Sequence, residues 1–229
     1  MSSRIFVDET KRAGYVIAAV TVSDTEAIRT IVRALVLPGQ RRIHMKHEQA
    51  RRRRVIVSAL AAMQVQATVY DAARRYRTDL AARTACLTAL VEDIAARDSD
   101  TRLVIEQDDS VVRADRHDLF QLVRQAGITD RLEYRHQRAY DELLLALPDI
   151  VAWSWVRSGE WRRRISPILT TVRTIRSPES AKPERRVRPD GSRAHFLAAS
   201  AAGKASIGRD RGNGPSTRRS GRAQDRSHR

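Results

Sequence analysis

Apolar positions along this chain fall into short runs of strand type and longer runs of helical period. Arg4 to Asp8 (R-I-F-V-D) is a short apolar run closed by an acid, and Gly14 to Val22 (G-Y-V-I-A-A-V-T-V) is a longer one rich in β-branched residues. The polar stretch Glu9 to Ala13 between them makes the pair a predicted hairpin. The second run shows no polar alternation, so it is expected at the centre of a sheet, covered on both faces. Ser23 to Glu26 (S-D-T-E) has the form of a capping box with Ser23 as N-cap. Ile28, Ile31, Val32 and Leu35 follow at helical spacing, and Pro38-Gly39 stops that helix. Glu48 to Met63 reads as a second helix and Val65 to Tyr70 as an alternating strand. Thr78 to Arg97 is a helix with Leu80, Thr84, Leu87, Leu90, Val91 and Ile94 on its apolar stripe. Arg102 to Glu106 is a strand that again ends in acid. Ser110 to Ala126 is a helix with Gly127 as its C-cap. Arg131 to His136 reads as a short edge strand, and Asp141 to Arg157 as helical with a restart near Pro148.

With the two early helices set aside as an insertion after the second strand, the order is βββαβαβα. Three strands in succession form an antiparallel meander. Later strands arrive through helical crossovers and add in parallel, with helices on both faces. The expectation is an α/β domain over residues 1–175. Beyond Ile175 the periodicity ends and Pro, Gly, Ser and Arg dominate, so residues 176–229 are expected to be a basic, largely disordered tail. No internal repeat is visible.

Charge sharpens this picture. The formal net charge is +16, with 14 Lys and Arg against 5 Asp and Glu in residues 176–229, and 29 against 22 before them. Such an excess favours polyanions, nucleic acid first among them. For the tail, Arg usage in a compositionally biased genome explains the charge equally well. The single cysteine, Cys86, excludes an intramolecular disulfide and sits on an apolar helix side, as a small buried residue would. No secretory signal and no apolar run of bilayer length is seen, so no membrane partner is expected and the protein reads as cytoplasmic.

Three acids hold places that matter in this layout. Asp8 ends the first strand, Glu106 ends the fourth, and Asp149 lies in the first turn of the last helix. If the first and fourth strands are adjacent and parallel, Asp8 and Glu106 come side by side, and a helix packed across that end would deliver Asp149. Three carboxylates so gathered repel one another, and a divalent cation relieves the cost. Each also has a plainer reading: Asp8 as a turn former, Glu106 as a solvated strand end, Asp149 as a charge at a helix N-terminus. Glu9, beside Asp8, is either a further ligand or an exposed acid.

The residues I-F-V-D-E-T followed by G-Y-V-I-A-A-V resemble the first two strands of a large bacterial family of ribonuclease H-like proteins without assigned function. R-I-H-M at Arg42 to Met45 and L-L-A-L-P-D-I-V-A-W at Leu144 to Trp153 resemble two further segments of that family. The resemblance covers roughly residues 4 to 157. It implies a ribonuclease H-like mixed sheet and a divalent-metal nuclease site holding magnesium or manganese. By position, Asp8 matches the first-strand Asp, Glu9 the acid beside it, and Asp149 the Asp of the last helix. Glu106 matches by its place in the fold order. Thr10 and Lys11 stand where Ser-Gly is usual, and Pro148 replaces a small helix former; either departure would suit an inactive relative.

His44 and His47 flank Met45-Lys46 without a third ligand, which disfavours zinc; by the resemblance, His44 would assist at the scissile phosphate or in proton transfer. Arg41, Arg42, Arg51 and Arg54 are either solvated helix charges or phosphate contacts beside the acids. Arg162 to Arg164 follow Trp153, Trp155 and Trp161, an interleaving that suits either single-strand stacking or plain packing. Neither a Ser or Cys nucleophile arrangement nor a glycine-rich phosphate loop appears. The chain therefore reads as a metal-dependent nuclease on DNA or RNA. The alternatives are an inactive nucleic-acid-binding module of the same fold, and a scaffold protein acting through its basic tail.

Overall fold

A computed structural model describes residues 3–177; the tail expected from residue 176 onward falls almost wholly outside them. The hairpin forms as β1 (Ser3–Thr10) and β2 (Tyr15–Val22). After β2 come the two inserted helices, α1 (Thr25–Leu35) and α2 (Ala50–Ala61), and then β3 (Val65–Ala73). Next are α3 (Asp79–Ala95), β4 (Thr101–Glu106), α4 (Val112–Gln125) and β5 (Leu132–Gln137). A short 3-10 turn at Leu143–Leu145 leads into α5 (Ala146–Arg157), followed by α6 (Gly159–Ile165), a second 3-10 turn and β6 (Leu169–Thr174).

The six strands make one sheet in the order β5-β4-β1-β2-β3-β6. β1, β2 and β3 run antiparallel, while β4 joins β1, and β5 joins β4, in parallel. That is the meander followed by parallel additions read from the sequence. β6 adds in parallel to β3 at the other edge and was not foreseen, nor was α6. Both are short, and β6 (L-T-T-V-R-T) has too few apolar residues to announce itself.

β2 is buried along almost its whole length, as its unbroken apolar run requires. Alternation along β1 divides the two cores. Phe6, with Val16, Ala18 and Val20, packs under α1, α2 and α5. Ile5 and Val7, with Ile17 and Ala19, pack under α3 and α4.

Several local expectations shift by a residue. The N-cap of α1 is Asp24, which accepts Ala27 N–H at 3.0 Å, and not Ser23. Asp caps as well as Ser, and this start turns Ile28 and Val32 onto the sheet while Ile31 stays 41% exposed. On α3 the expected Leu87, Leu90, Val91 and Ile94 are buried, but Leu80 is exposed and the buried face widens to take in Ala82, Arg83 and Cys86. α5 starts at Ala146, so Pro148 lies within its first turn, where a missing N–H forfeits no helical bond.

Candidate active site

Asp8 and Glu106 follow the paired positions Val7 and Ile105 at the ends of parallel β1 and β4. Both belong to the alternation of Phe6 and Val104, so they face the α5 side of the sheet. Asp149, in the first turn of α5, reaches the same place. The three carboxylates line one cavity of about 690 Å³ together with Lys11, Arg12, His44, Lys46 and Trp153.

The charges interact there. Burial, then Glu106, Asp149 and Glu9, push the Asp8 carboxyl well above its ordinary acidity range; one oxygen accepts the Glu9 N–H at 2.7 Å, which opposes the shift in part. Asp149 Oδ2 accepts the Met45 N–H at 2.8 Å and lies 3.3 Å from His44 Nδ1. Arg42 donates to Glu106 Oε1 at 2.9 Å.

The R-I-H-M segment explains these partners. Ile43 and Met45 are buried in the core beside α5, so the alternate residues Arg42 and His44 face the acids. A strand-like period in the insertion thus aims two cationic or polar side chains at two carboxylates.

Glu9 takes a different course from Asp8. Although it borders the cavity, its Oε2 pairs at 2.6 Å with Arg83 on α3, beneath the opposite face. Arg83 is 2% exposed and forks onto Asp115 with two bonds of 2.6 Å. It also donates to the Tyr15 hydroxyl, and His136 lies 3.1 Å from Asp115. Against the desolvation of its burial, the Arg83 and His136 bonds hold Asp115 below its usual value. This buried group was missed from sequence. Its signal was present: Arg83 shares helical spacing with Leu87, Leu90 and Ile94, a charge on an apolar stripe.

Of the expected basic residues, Arg42 reaches an acid of the site. Arg41 lies over the Tyr140 ring at 4.9 Å. Arg51 borders a separate cavity with Gln40 and His47, and Arg54 faces Glu160 at 3.9 Å; neither lines the acidic cavity. α2 presents them outward because Ile56, Val57 and Leu60 fix its buried face. Lys11, Arg12 and Lys46, which do line it, were not among the expected phosphate contacts. His44 and His47 rings approach at 4.8 Å. Cys86 is buried, and burial pushes its thiol up to about 12, which rules it out as a nucleophile near neutrality.

The donor set suits a hard divalent cation in kind, being anionic and all-oxygen. In arrangement, no three His, Cys, Asp or Glu side chains among the described residues are gathered closely enough to hold one ion. Glu106 is turned onto Arg42, and Asp149 onto the Met45 amide.

A three-strand meander continued by two parallel strands, with the first strand central and ending in acid, decides the fold class. The fold is ribonuclease H-like. Among solved structures, a chain of the PCNA:RNase HII complex from Archaeoglobus fulgidus aligns at TM-score 0.43 and 15% identity, over 67% of this chain and 70% of that one. A point mutant of Bst-RNase HIII aligns at TM-score 0.40 and 19% identity, over 66% of this chain and 50% of that one. No protein-family model matches the chain, and no curated protein matches it in sequence. No helix among the described residues is long and apolar enough to cross a membrane.

Proposed function

We propose that this ribonuclease H-like chain is a divalent-metal-dependent nuclease that hydrolyses phosphodiesters of DNA or RNA. One observation carries the reading: Asp8, Glu106 and Asp149, far apart in sequence, border one cavity, and the other two acids raise Asp8. In this reading the three carboxylates would hold magnesium or manganese. When bound, the cation supplies Lewis-acid stabilisation of the charge that builds on the phosphodiester. Glu106 would turn from Arg42 to take part, releasing that guanidinium to the substrate phosphate. His44, 3.3 Å from Asp149, is oriented to hold or pass a proton at the reacting water or leaving oxygen. Lys11, Arg12 and Lys46 attract the phosphate. Glu9 acts at a distance, by its charge on Asp8 and its tie to Arg83. The same reading sets the protein in the cytoplasm with its nucleic-acid substrate.

A second reading, an inactive nucleic-acid-binding module, is favoured by the partners that Glu106 and Asp149 already have within the chain. Cleavage assays on labelled single- and double-stranded DNA, RNA and their hybrid, with magnesium or manganese, separate the two. For the nuclease, Asp8→Asn and Asp149→Asn lose cleavage by about 100-fold or more, since several kcal/mol of charge stabilisation goes with the ion. Equal cleavage by parent and variants removes these carboxylates from the mechanism. Binding without any metal-dependent cleavage supports the module.

A further inference from the structure

Trp153 sits on the wall of the acidic cavity yet is only 7% exposed. Its indole Nε1–H is buried and has no hydrogen-bond partner. A buried donor without an acceptor is costly, and such a group invites a ligand that accepts. The indole carries one N–H and no lone pair for bonding, so the missing partner must be an acceptor.

The surroundings of the ring are cationic. The Arg53 and Arg157 guanidinium carbons each lie 5.0 Å from the Trp153 ring centre, and Trp161 packs edge-on at 5.0 Å. Arg53 is anchored by bonds to the Met45 and Lys46 carbonyls at 2.9 and 3.1 Å. Arg157 is held below its usual value by desolvation, then by Arg12 and Arg53, which brings Arg12 into the same cluster. Arg12 also lines the acidic cavity. Among the described residues, none of these three arginines pairs with a carboxylate, although acids line the same wall and arginines elsewhere in the chain find them. Like charges crowded beside a buried donor are relieved by an anion with several acceptor oxygens. The planar, always charged guanidinium is the group that grips phosphate in two-point fashion.

We propose that Arg12, Arg53, Arg157 and the Trp153 Nε1–H form a phosphate-binding subsite on the rim of the acidic cavity. It seats a backbone phosphate of a nucleic-acid strand, one or more nucleotides from the phosphodiester at the carboxylates. The proposal rests on the nucleic-acid reading of that cavity and names its missing grip on the strand. Arg12 comes from the β1–β2 turn, Arg53 from the inserted α2, and Trp153 and Arg157 from α5. The inserted helices thereby gain a use, because they bring a cation to a site that the sheet and α5 alone would leave incomplete.

The test uses the full chain with EDTA present, so that neither cation nor cleavage intervenes. Trp153, Trp155 and Trp161 are the chain's three tryptophans, so their emission reports on this region and not on the basic tail. A short oligothymidylate is titrated at several salt concentrations. Each arginine contact to a single strand contributes about 0.7 to the slope of log affinity against log salt. The double variant Arg12→Gln/Arg157→Gln is expected to lower that slope by about 1.4 and to weaken binding at low salt by about 10-fold. Trp153→Phe keeps an aromatic ring and removes the N–H; it is expected to weaken binding by roughly 5- to 10-fold with the slope unchanged. Arg102→Gln, which removes one charge at the far end of β4, leaves both as in the parent. A methylphosphonate oligomer, neutral in its backbone, does not quench.

Parental affinity and slope in the double variant would overturn the subsite. So would equal quenching by the neutral oligomer. Inorganic phosphate binding as tightly as the strand would assign the site to free phosphate and overturn the nucleic-acid occupant. The carboxylate reading is judged separately by cleavage. If Asp8→Asn cleaves like the parent while the arginine variants lose binding, the subsite stands and the catalytic site falls. The reverse pattern removes the subsite alone.

Discussion

Arg83 is the residue on which two acids of the α3 and α4 face depend. It is 2% exposed, and it holds Asp115 by two hydrogen bonds and Glu9 by an ion pair, all at 2.6 Å. A bidentate pair of this kind repays part of the cost of taking both charges from water, while removing one partner leaves the other stranded. Arg83→Met is therefore expected to destabilise the fold by about 3–5 kcal/mol in urea unfolding, because Asp115 and Glu9 lose their counter-charge. Arg54→Met, an exposed position facing Glu160 at 3.9 Å, is expected to shift stability by less than about 0.5 kcal/mol in the same assay. Comparable losses in the two variants would show that the buried fork does not matter. The network also explains why adjacent acids on β1 have different fates: Asp8 and Glu9 point to opposite faces, and only Glu9 meets a built-in cation.

The hairpin that ends in the acidic site depends on backbone geometry. Gly14 opens β2 at φ +112°, and an added Cβ would lie 2.4 Å from the Ala73 backbone across the sheet. Ala73 itself has φ +46°, where the β2–β3 register shifts between Tyr15 and Val16. Gly14→Ala thus meets both a disfavoured conformation and a backbone clash. The expected cost is roughly 2–6 kcal/mol, adding about 1–3 for strain to about 1–3 for overpacking. Amide exchange should show it first as lost protection at the start of β2 and the end of β3. Undiminished protection there would mean that the turn relaxes freely. On the same scale, the α1–α2 insertion serves the site through its connecting segment. Ile43 and Met45 anchor it, and Arg42, His44 and the Met45 amide are delivered to Glu106 and Asp149. α6 and β6 complete the other edge, β6 pairing with β3.

At the scale of the molecule, one sheet carries two cores, and the charge problem sits where β1 and β4 end together. Asp8 has its acidity pushed well up by burial and by Glu106, Asp149 and Glu9. The folded chain then keeps a proton there that the unfolded chain releases above its ordinary value of 3.8. Between that value and the raised one, folding stability falls as pH rises. Asp8→Asn, which removes the titration, should melt at a higher temperature than the parent at pH 8, with the advantage shrinking as pH is lowered toward about 4, the usual carboxyl range. Manganese or magnesium should raise the parent's midpoint at pH 8 and leave Asp8→Asn unmoved. At ten times its dissociation constant a ligand adds about 1.4 kcal/mol, or roughly 3–6 °C for a domain of this size. An equal rise in the two proteins would place the metal elsewhere.

Period and punctuation in the sequence were enough to determine the hairpin, the buried central strand, the inserted helical pair and the meander followed by parallel strands. These follow from local rules: strands alternate, helices repeat every few residues, and connections obey handedness. Asp8, Glu106 and Asp149 could be singled out because each ends a strand or opens a helix. Only tertiary structure decided what each acid faces. Glu9 went to Arg83, Glu106 to Arg42 and Asp149 to the Met45 amide, while Arg53 and Arg157 came to lie over Trp153 with no carboxylate partner among the described residues. Those choices depend on which residues meet across the sheet, on burial that multiplies the worth of each charge, and on one-residue shifts in helix phase. Nearest-neighbour patterns in a chain carry none of that.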